Sequence, residues 1–439
     1  MKAYKAFGQI FTYNKLLDIY FKYIRHKRNV GLDKVTCDVF ERNLNTNINA
    51  SLNKIMNGNY HYIFYKARLI SKGREKYPRV ISIPSVRDRL ILKSVHLMLS
   101  IIYEDDVKNE LIHSIINRFK LKKSRYNYFL KIDIKNFYPS ICHTKLEKVL
   151  KRKIRKPEIL KLIQSAIKNK TLLSYKEKLP YSNKGIPQGL SISNILASIY
   201  LFDLDKVFKS KRIFLYFRYV DDILILHNNP KHDEIKSLII DELHKLDLQI
   251  NTDKIEEGNL IDEFTYLGYK NTPTGFSVRN TSVESLHQSI LKNFTIYKHS
   301  VELPISYLEW IVNLRITGCI FNKKKYGWMF FYSQIDDLTL LFKLDNFVFN
   351  IISKNLPVKD RFAPKKFIRT YHEIINNLSN TKYIPNFTEY SNKKKKEVLS
   401  EIFDYKGSLS WPDEKVDRIF NKKIFQSIKE LEKDIQRFS

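Results

Sequence analysis

The amino-acid sequence predicts an α+β fold in which a β-rich middle region lies between two helical ones. Apolar side chains recur at helical spacing through residues 1–60, which predicts a helical N-terminal segment. Over residues 61–280, β-branched and aromatic runs bounded by turn residues alternate with helical patterns. The remainder is helical in pattern, and we divide it into a segment 281–350 and a basic extension 351–439.

The middle region begins with runs that predict strands and continues with apolar or basic stretches that predict helices. Gly185 and Gly189 interrupt the chain as loop residues, and Ser71-Lys72-Gly73 is predicted to be a turn. The predicted strands are 60–70, 79–83, 128–134 and 262–269, and the predicted helices are 90–102, 144–168, 191–208 and 233–247.

The clearest local signal is a predicted hairpin. The runs 213–219 and 223–226 are apolar and β-forming, and Val220-Asp221-Asp222 separates them. This pattern predicts a tight turn with two carboxylates at its tip. Farther along, Thr281 and Glu284 have the spacing of a capping box, which predicts the start of a helix.

The charge balance is the feature of the composition that bears most on function. The chain has 77 Lys and Arg against 46 Asp and Glu, a formal net charge of +31. This excess indicates a polyanionic partner, with nucleic acid as the first candidate and an anionic membrane as the second.

The cysteines and the hydropathy pattern exclude other classes. Cys37, Cys142 and Cys319 lie far apart, so neither a zinc cluster nor a disulfide framework is expected. Since no apolar run approaches the ~18 residues of a membrane span, we expect a cytoplasmic protein in a reducing compartment, without a membrane partner.

Three aspartates are candidate metal ligands. Asp133 ends a predicted strand, and Asp221 and Asp222 lie at the tip of the predicted hairpin. Carboxylate oxygens are the ligands that Mg²⁺ prefers. If these strands are neighbours in one sheet, the side chains converge, and two ions about 3.5–4 Å apart would serve a phosphoryl transfer. An Asp-Asp pair is also an ordinary turn, and the doublet recurs at 105–106 and 336–337, so the doublet alone leaves both interpretations open.

The residues around these aspartates resemble the motif series of reverse transcriptases. Tyr219-Val220-Asp221-Asp222 resembles the Y-x-D-D box, and residues 133–141 resemble the motif that supplies the other metal-binding aspartate. Four further stretches resemble the remaining motifs in the family's order. They are 79–84 with Asp88 and Arg89, 185–191, 248–251 with Lys254, and 264–269.

The resemblance implies a right-hand polymerase. Residues 61–280 would form fingers and palm, 281–350 a helical thumb, and 351–439 a helical extension. It also implies an RNA-directed DNA polymerase that uses two Mg²⁺ ions, with Mn²⁺ as a substitute. Asp133 and Asp221 would bind both ions, the Ile134 carbonyl would complete one shell, and Asp222 would support the pair.

Further roles are implied by the resemblance. An arginine or lysine would neutralise the triphosphate, Tyr138 would be a steric gate against a 2′-hydroxyl, and a glycine would let the backbone approach the nucleotide. Solvated charges and a core tyrosine are the alternatives. The implied nucleotide-binding residues are Lys72, Arg79, Tyr138, Gln188 and Gly189. The implied primer grip is Phe264, Tyr266, Leu267 and Gly268, and Lys254 is the implied proton donor to pyrophosphate.

The rest of the chain bears on the subfamily. It lacks the cysteines of the endonuclease domain that group II intron maturases often carry, and residues 285–439 are helical and basic, unlike an RNase H. No N-A-x-x-H element of retrons is present, and Ile316-Thr317-Gly318 faintly resembles their V-T-G signature. The layout most resembles bacterial reverse transcriptases of the abortive-infection, phage-defence and retron-related groups, and the "unknown group" enzymes related to them.

Three segments outside the motifs suggest structures or functions of their own. Residues 326–335 are aromatic beside Lys323-Lys324-Lys325, which suits either single-stranded nucleic acid or an aromatic core. Asp203-Leu204-Asp205 resembles a glycosyltransferase D-x-D but is predicted to lie on a solvated helix face. Lysines at 393–396 and 422–423 predict that the region 376–439 binds RNA and that its deletion leaves the palm folded.

Two classes of function follow. The first is an RNA-directed DNA polymerase in antiphage defence that copies a dedicated structured noncoding RNA into DNA from dNTPs, as a homo-oligomer or with a partner protein encoded nearby. A template-independent or protein-primed polymerase is its variant. The second is a catalytically idle RNA-binding scaffold. Three gathered carboxylates argue against the scaffold, because they would repel a polyanion unless metal ions neutralise them.

Overall fold

The computed structural model describes residues 2–27, 29–71, 77–107, 110–177, 182–211, 213–230, 232–300 and 303–435. The chain forms two compact units. Unit 1 comprises Met1–Asn109 and Tyr126–Gly258, and unit 2 comprises Glu110–Arg125 and Asn259–Ser439. The predicted segment limits at 60, 280 and 350 therefore do not coincide with the division between the units.

Helices and largely antiparallel sheets occur together, so the predicted α+β class is confirmed. The helices are α1 Ala3–Ile10, α2 Tyr13–Ile19, α3 Cys37–Arg42, α4 Leu44–Met56, α5 Val86–Ile102, α6 Ile112–Lys122, α7 Phe137–Ser140, α8 His143–Lys151, α9 Pro157–Lys168, α10 Ser193–Tyr200, α11 Phe202–Ser210, α12 His232–His244, α13 Asn280–Lys298, α14 Ile305–Thr317, α15 Trp328–Phe331, α16 Leu338–Asn355, α17 Phe367–Asn376, α18 Asn392–Glu401 and α19 Asp413–Ile435. The strands are β1 Tyr65–Ile70, β2 Arg79–Ile83, β3 Tyr128–Asp133, β4 Thr171–Leu172, β5 Phe214–Tyr219, β6 Asp222–His227, β7 Glu256–Asn259, β8 Phe264–Tyr266, β9 Tyr269–Thr272, β10 Gly275–Val278, β11 Cys319–Phe321 and β12 Lys324–Tyr326.

Two sheets organise unit 1. Strands β2, β1 and β4 form a small sheet in which β1 and β2 are antiparallel and β4 runs parallel to β1. The second sheet has the order β5-β6-β3-β7, and its central strand β6 is buried from Ile223 to His227. The hairpin predicted over 213–226 is confirmed as β5 and β6. Burial on both faces explains why β6 is a continuous apolar run instead of an alternating one.

The predicted helices of unit 1 are confirmed, with an earlier start for α5 than predicted and two stretches that each divide into two helices. Helix α5 begins after Ser85, whose hydroxyl accepts a hydrogen bond from the backbone N–H of Asp88 at 3.1 Å. The stretch 144–168 is two helices, because Pro157 opens α9 at its first turn after a short link. The stretch 191–208 is also two helices, which meet at Leu201.

Unit 2 contains α6, the three-stranded antiparallel sheet β8-β9-β10, the β11–β12 hairpin and the helices from α13 onwards. Phe119 on α6 contacts the rings of Phe264 and Phe276, at centroid distances of 6.1 and 5.0 Å, and this contact joins residues 110–125 to the later part of the chain. The prediction of one strand over 262–269 is wrong, because the chain turns at Leu267 and Gly268 between β8 and β9.

Two further predictions for unit 2 are corrected. Helix α13 begins at Asn280 without a side-chain cap, so the capping box at Thr281 does not form. A hairpin, β11 and β12, interrupts a region predicted to be helical. Gly318 explains why the chain can turn there. Its φ is +64°, and a Cβ atom at this position would lie 2.2 Å from the carbonyl oxygen of Tyr326. The Ile-Thr-Gly sequence therefore has a structural reason in this chain.

The aromatic stretch 326–335 supplies core, and its interpretation as a surface that stacks bases is wrong. The side chains that it buries are Trp328, Met329, Phe330, Tyr332 and Ile335. Lys323, Lys324 and Lys325 are exposed at the tip of the β11–β12 hairpin. Within the described ranges, none of the helices is both long enough and apolar enough to cross a bilayer.

Candidate active site

The β5-β6-β3-β7 sheet brings the three predicted aspartates to one corner. Asp133 at the end of β3 lies opposite Asp222, the first residue of β6. On the other side of β6, Asp222 lies opposite Tyr219. Asp221 occupies the turn between β5 and β6, and its carbonyl accepts a hydrogen bond of 3.3 Å from the backbone N–H of Ile134. The expected neighbourhood of the strands is thus confirmed.

The segment 248–251 and Lys254 hold Asp133. The backbone N–H of Asn251 donates to the Asp133 carbonyl at 2.8 Å, and the Lys254 ammonium donates to Asp133 Oδ2 at 3.0 Å. The Asn251 side-chain amide is 3.4 Å from the same oxygen. The motif after the hairpin therefore packs against the first aspartate and supplies it with a positive charge.

Burial and mutual repulsion raise the proton affinity of two of the carboxyls. Burial, followed by the charges of Asp221 and Asp133, raises the pKa of Asp222 to about 6. Burial and the charge of Asp133 also raise the pKa of Asp221. At neutral pH the corner therefore holds excess negative charge that a cation would relieve.

The carboxylate oxygens of the corner fit a hard divalent cation, but the three side chains do not yet converge on a common binding position. In the described ranges, no three His, Cys, Asp or Glu side chains are arranged so that they hold a metal ion as they stand. One oxygen of Asp133 is occupied by Lys254. A cation would replace that ammonium as the partner of Asp133, and the oxygen-only donor set is the type that Mg²⁺ and Mn²⁺ accept.

The raised pKa of Asp222 predicts a pH-dependent stability difference. Its pKa near 6 in the folded chain exceeds the ordinary 3.8, so the folded state holds the proton more tightly. The contribution of the protonated Asp222 carboxyl to the free energy of unfolding is fully present below about pH 4. It is lost as the pH rises through 6 and the carboxyl ionises. Without divalent cations, Asp222→Asn should therefore be more stable than the natural chain by about 2–3 kcal/mol at pH 7.5. Urea unfolding in EDTA at pH 4 and 7.5 measures this, and an equal difference at both pH values would contradict it.

Tyr138 and Arg79, two of the residues predicted to contact the nucleotide, interact electrostatically with Asp221. The Tyr138 hydroxyl donates to Asn194 Oδ1 at 2.6 Å. Burial, and then the charge of Asp221, raises the pKa of Tyr138, while the charge of Arg79 lowers it. The Arg79 charge also offsets part of the rise that burial and Asp133 cause in the pKa of Asp221. Tyr138 and Arg79 are therefore close enough to Asp221 for their charges to affect its proton affinity or to be affected by it.

The loop with Gln188 and Gly189 packs against β2. The Gln188 carbonyl accepts a 2.7 Å hydrogen bond from the Ser82 backbone N–H. Gly189 has φ +97°, and a Cβ atom there would lie 2.6 Å from Ile81 Cγ2. Glycine is therefore required for the loop to approach β2 this closely. Lys72, the other residue predicted on this side, lies outside the described residues.

The predicted primer-grip residues belong to unit 2, whereas the aspartates belong to unit 1. Phe264 and Tyr266 on β8 are buried. Leu267 is partly exposed in the turn, and the carbonyl of Gly268 accepts a hydrogen bond from the Arg279 backbone N–H at 3.1 Å. Of the four predicted residues, Leu267 alone is not buried.

The sequence analysis did not predict two charged residues beside the site, Asp205 and Arg218. Asp205, predicted to be solvated, accepts hydrogen bonds from Tyr216 and Arg218 on β5. Asp203, two residues earlier, does form an exposed ion pair with Arg152 at 2.8 Å. The position of Arg218 directly before the Y-x-D-D box was the available signal.

An antiparallel sheet with aspartates on adjacent strands, followed by a segment that packs on the first of them, is the arrangement implied for a polymerase palm. Residues 70–271 match the model of the family described as reverse transcriptase (RNA-dependent DNA polymerase). The match covers a little under half of the chain and spans almost the same residues as the six predicted motifs.

Individual relatives match parts of the chain. The group II intron-encoded protein LtrA of Lactococcus lactis subsp. cremoris is 26% identical over 213 residues, which are 46% of this chain and 35% of LtrA. The chain therefore spans about a third of that relative. Protein YkfC of Escherichia coli K12 is 20% identical over 291 residues, 55% of this chain and 75% of YkfC. A telomerase structure from Candida albicans, with a fragment of telomeric RNA, has 14% identity and a TM-score of 0.43 over 92% of this chain and 69% of that one.

Proposed function

We propose that the protein is an RNA-directed DNA polymerase that extends a primer by nucleotidyl transfer at the aspartate corner. One observation carries this proposal: Asp133 and Asp222 face each other on adjacent strands, with Asp221 in the turn beside them, inside the region that matches the reverse transcriptase family. The raised pKa of Asp222 supports it, because a binding scaffold gains nothing from buried carboxyls that repel a polyanion.

In this proposal, each residue of the corner has a role set by its chemistry. Asp133, Asp221 and the Ile134 carbonyl would hold two Mg²⁺ ions, with Asp222 as support. When bound, these ions make the primer 3′-hydroxyl more acidic and neutralise the departing pyrophosphate. Arg79 would pair with the triphosphate through its guanidinium fork.

The position of Lys254 supports its proposed role as a proton donor to pyrophosphate. Its ammonium lies 3.0 Å from Asp133 Oδ2, so it is already at the edge of the corner. With Asp133 bound to a cation, the Lys254 ammonium would be available as a proton donor to pyrophosphate.

A primer-extension assay tests the proposed activity against its alternatives. Purified protein, Mg²⁺ and a DNA primer annealed to RNA should incorporate only the dNTP complementary to the template. Incorporation that ignores the template would favour the template-independent variant, and label that stays on the protein after nuclease digestion would favour protein priming. Absence of incorporation with any template, primer or cation would favour the scaffold and overturn the proposal.

Tyr138 provides a prediction on substrate choice. Tyr138→Ala should retain dNTP incorporation and raise rNTP incorporation by about 10–100-fold, since removal of the ring removes a steric clash with a 2′-hydroxyl of the kind worth ~1–3 kcal/mol. Tyr138→Phe is the matched control, because it keeps the ring and loses only the 2.6 Å hydrogen bond to Asn194. Single-nucleotide incorporation measures both. Unchanged discrimination in the Ala variant would identify Tyr138 as a core residue.

The partner RNA and the biological setting extend the proposal. The net charge of +31 supports a structured RNA as partner, and the layout supports a bacterial antiphage role. The region 376–439 pairs some of its lysines within the chain. Lys395 and Lys396 form ion pairs with Asp417 and Asp413 at 2.7 and 3.2 Å, so part of the predicted RNA-binding charge is neutralised within the chain. Sequencing of the nucleic acid that co-purifies with the protein identifies the template.

A further inference from the structure

The turn that carries Asp221 has an unfavourable backbone conformation. Val220 has φ +57°. For a β-branched residue this left-handed region is a genuine outlier, and it persists only when surrounding contacts impose it. Asp221 follows directly, so whatever fixes Val220 also fixes the backbone position from which the Asp221 side chain extends.

Arg218 makes the contact that fixes this turn. Its Nη1 donates to the carbonyl oxygen of Val220 at 2.9 Å. The same guanidinium donates to both oxygens of Asp205, from Nε at 2.7 Å and from Nη2 at 2.5 Å. The side chains of Arg218 and Asp205 are only 9% and 14% exposed. A buried, bidentate pair of this kind has one geometry and excludes water from it.

Asp205 is itself held in place. The Tyr216 hydroxyl donates to Asp205 Oδ1 at 2.9 Å. Helix α11, which carries Asp205, is anchored by buried Leu204 and by Phe208, whose ring stacks on Tyr216 at 5.3 Å. The path from α11 through Asp205 and Arg218 to the Val220 carbonyl is therefore rigid at each step.

We propose that Asp205 and Arg218 are positioning residues that hold the Val220–Asp221 turn in the conformation required for cation binding by Asp221. The inference rests on the proposed function, because it assigns these residues to the same corner. Neither residue touches the reacting atoms. They act on Asp221 through the backbone carbonyl of Val220.

The neighbouring pair of Asp203 and Arg152 provides a matched control. It contains the same residue types, and Asp203 lies on the same helix, but the two side chains are 43% and 51% exposed and belong to no path toward the turn. Asp205→Asn and Arg218→Gln are compared with Asp203→Asn and Arg152→Gln. Arg218→Lys keeps the charge but loses the fork, and it serves as the milder variant if Arg218→Gln does not fold.

The readouts are Mn²⁺ affinity by electron paramagnetic resonance, and the KM for dNTP and kcat of primer extension as functions of Mg²⁺ concentration. We expect Asp205→Asn and Arg218→Gln to weaken Mn²⁺ binding about 10–100-fold, as losses around metal ligands do. The Mg²⁺ required for half-maximal kcat should rise in parallel, with primer–template affinity unchanged. The two control variants should match the natural chain. The double variant should be no worse than either single one, because both remove one path.

Two results separate the inference from the proposed function. If the natural chain extends primers and folded Arg218 variants bind Mn²⁺ as tightly as it does, the positioning role is overturned and the pair is structural. If the natural chain shows no extension, but Asp205→Asn and Arg218→Gln bind Mn²⁺ more weakly than the natural chain does, the positioning role stands and the polymerase assignment fails.

Discussion

Asp221→Asn is expected to lower Mg²⁺-dependent dNTP incorporation by at least about a thousand-fold, while the chain stays folded. The substitution is nearly isosteric and removes one charge from the turn beside Asp133 and Asp222. Loss of several kcal/mol of transition-state stabilisation by a metal ion corresponds to this factor. Because burial raises the pKa of the Asp221 carboxyl, loss of its charge should not destabilise the fold.

Single-turnover primer extension measures the effect, and thermal unfolding verifies the fold. Asp203→Asn is the matched control, since this carboxylate is 43% exposed and pairs only with Arg152 among the contacts described for it. The control should extend primers at the natural rate. Full activity in Asp221→Asn would remove the catalytic assignment of the whole corner.

Asp434→Ala is expected to destabilise unit 2 by about 3–5 kcal/mol. Asp434 on α19 is buried, forms an ion pair with buried Arg315 on α14, and accepts a 2.6 Å hydrogen bond from Ser289 on α13. Removal of one partner leaves the Arg315 charge buried and uncompensated, which is the costly way to break such a pair.

Glu430→Ala is the matched control on the same helix, because Glu430 and its partner Lys433 are 42% and 64% exposed. Exposed pairs contribute at most about 1 kcal/mol. Urea unfolding of the full chain measures both variants. Equal midpoints would show that Asp434 does not anchor α19.

This anchoring changes how the C-terminal region is best tested. Deletion of 376–439 would remove Asp434 and a row of buried α19 side chains, among them Phe420, Ile424 and Leu431. The deletion would therefore unfold part of unit 2 instead of trimming an RNA-binding extension. Charge substitutions on the exposed face are the appropriate alternative for measurement of RNA affinity against salt.

Local patterns in the sequence predicted the elements that depend on neighbouring residues. The β5–β6 hairpin follows from two β-forming runs and a short turn, and α5 follows from the apolar stretch 90–102, although the helix begins four residues earlier, after the Ser85 cap. Strand β1 was predicted five residues too long. Its first part is held by buried Asp88, which accepts hydrogen bonds from the Tyr60 hydroxyl at 2.7 Å and the Ile63 backbone N–H at 2.9 Å. A distant carboxylate thus replaces the strand ladder there.

Non-local contacts explain what the sequence could not predict. Asp203 and Asp205 have the same charge and lie two residues apart, yet one is exposed and the other is held by Arg218 and Tyr216. Only the packing of α11 on β5 distinguishes them. The β11–β12 hairpin depends likewise on the close approach of Gly318 to Tyr326, which helical spacing does not reveal.

The most direct test of the central proposal is the number of Mn²⁺ ions bound at the corner in the presence of primer–template and a non-hydrolysable dNTP analogue, measured by electron paramagnetic resonance. Two bound ions about 3.5–4 Å apart would give a spin-coupled spectrum. We predict this spectrum for the natural chain and for Asp203→Asn, and its loss in Asp221→Asn. A single isolated ion, or a coupled pair that persists in Asp221→Asn, would contradict the assignment of Asp133, Asp221 and Asp222 as a two-metal polymerase centre.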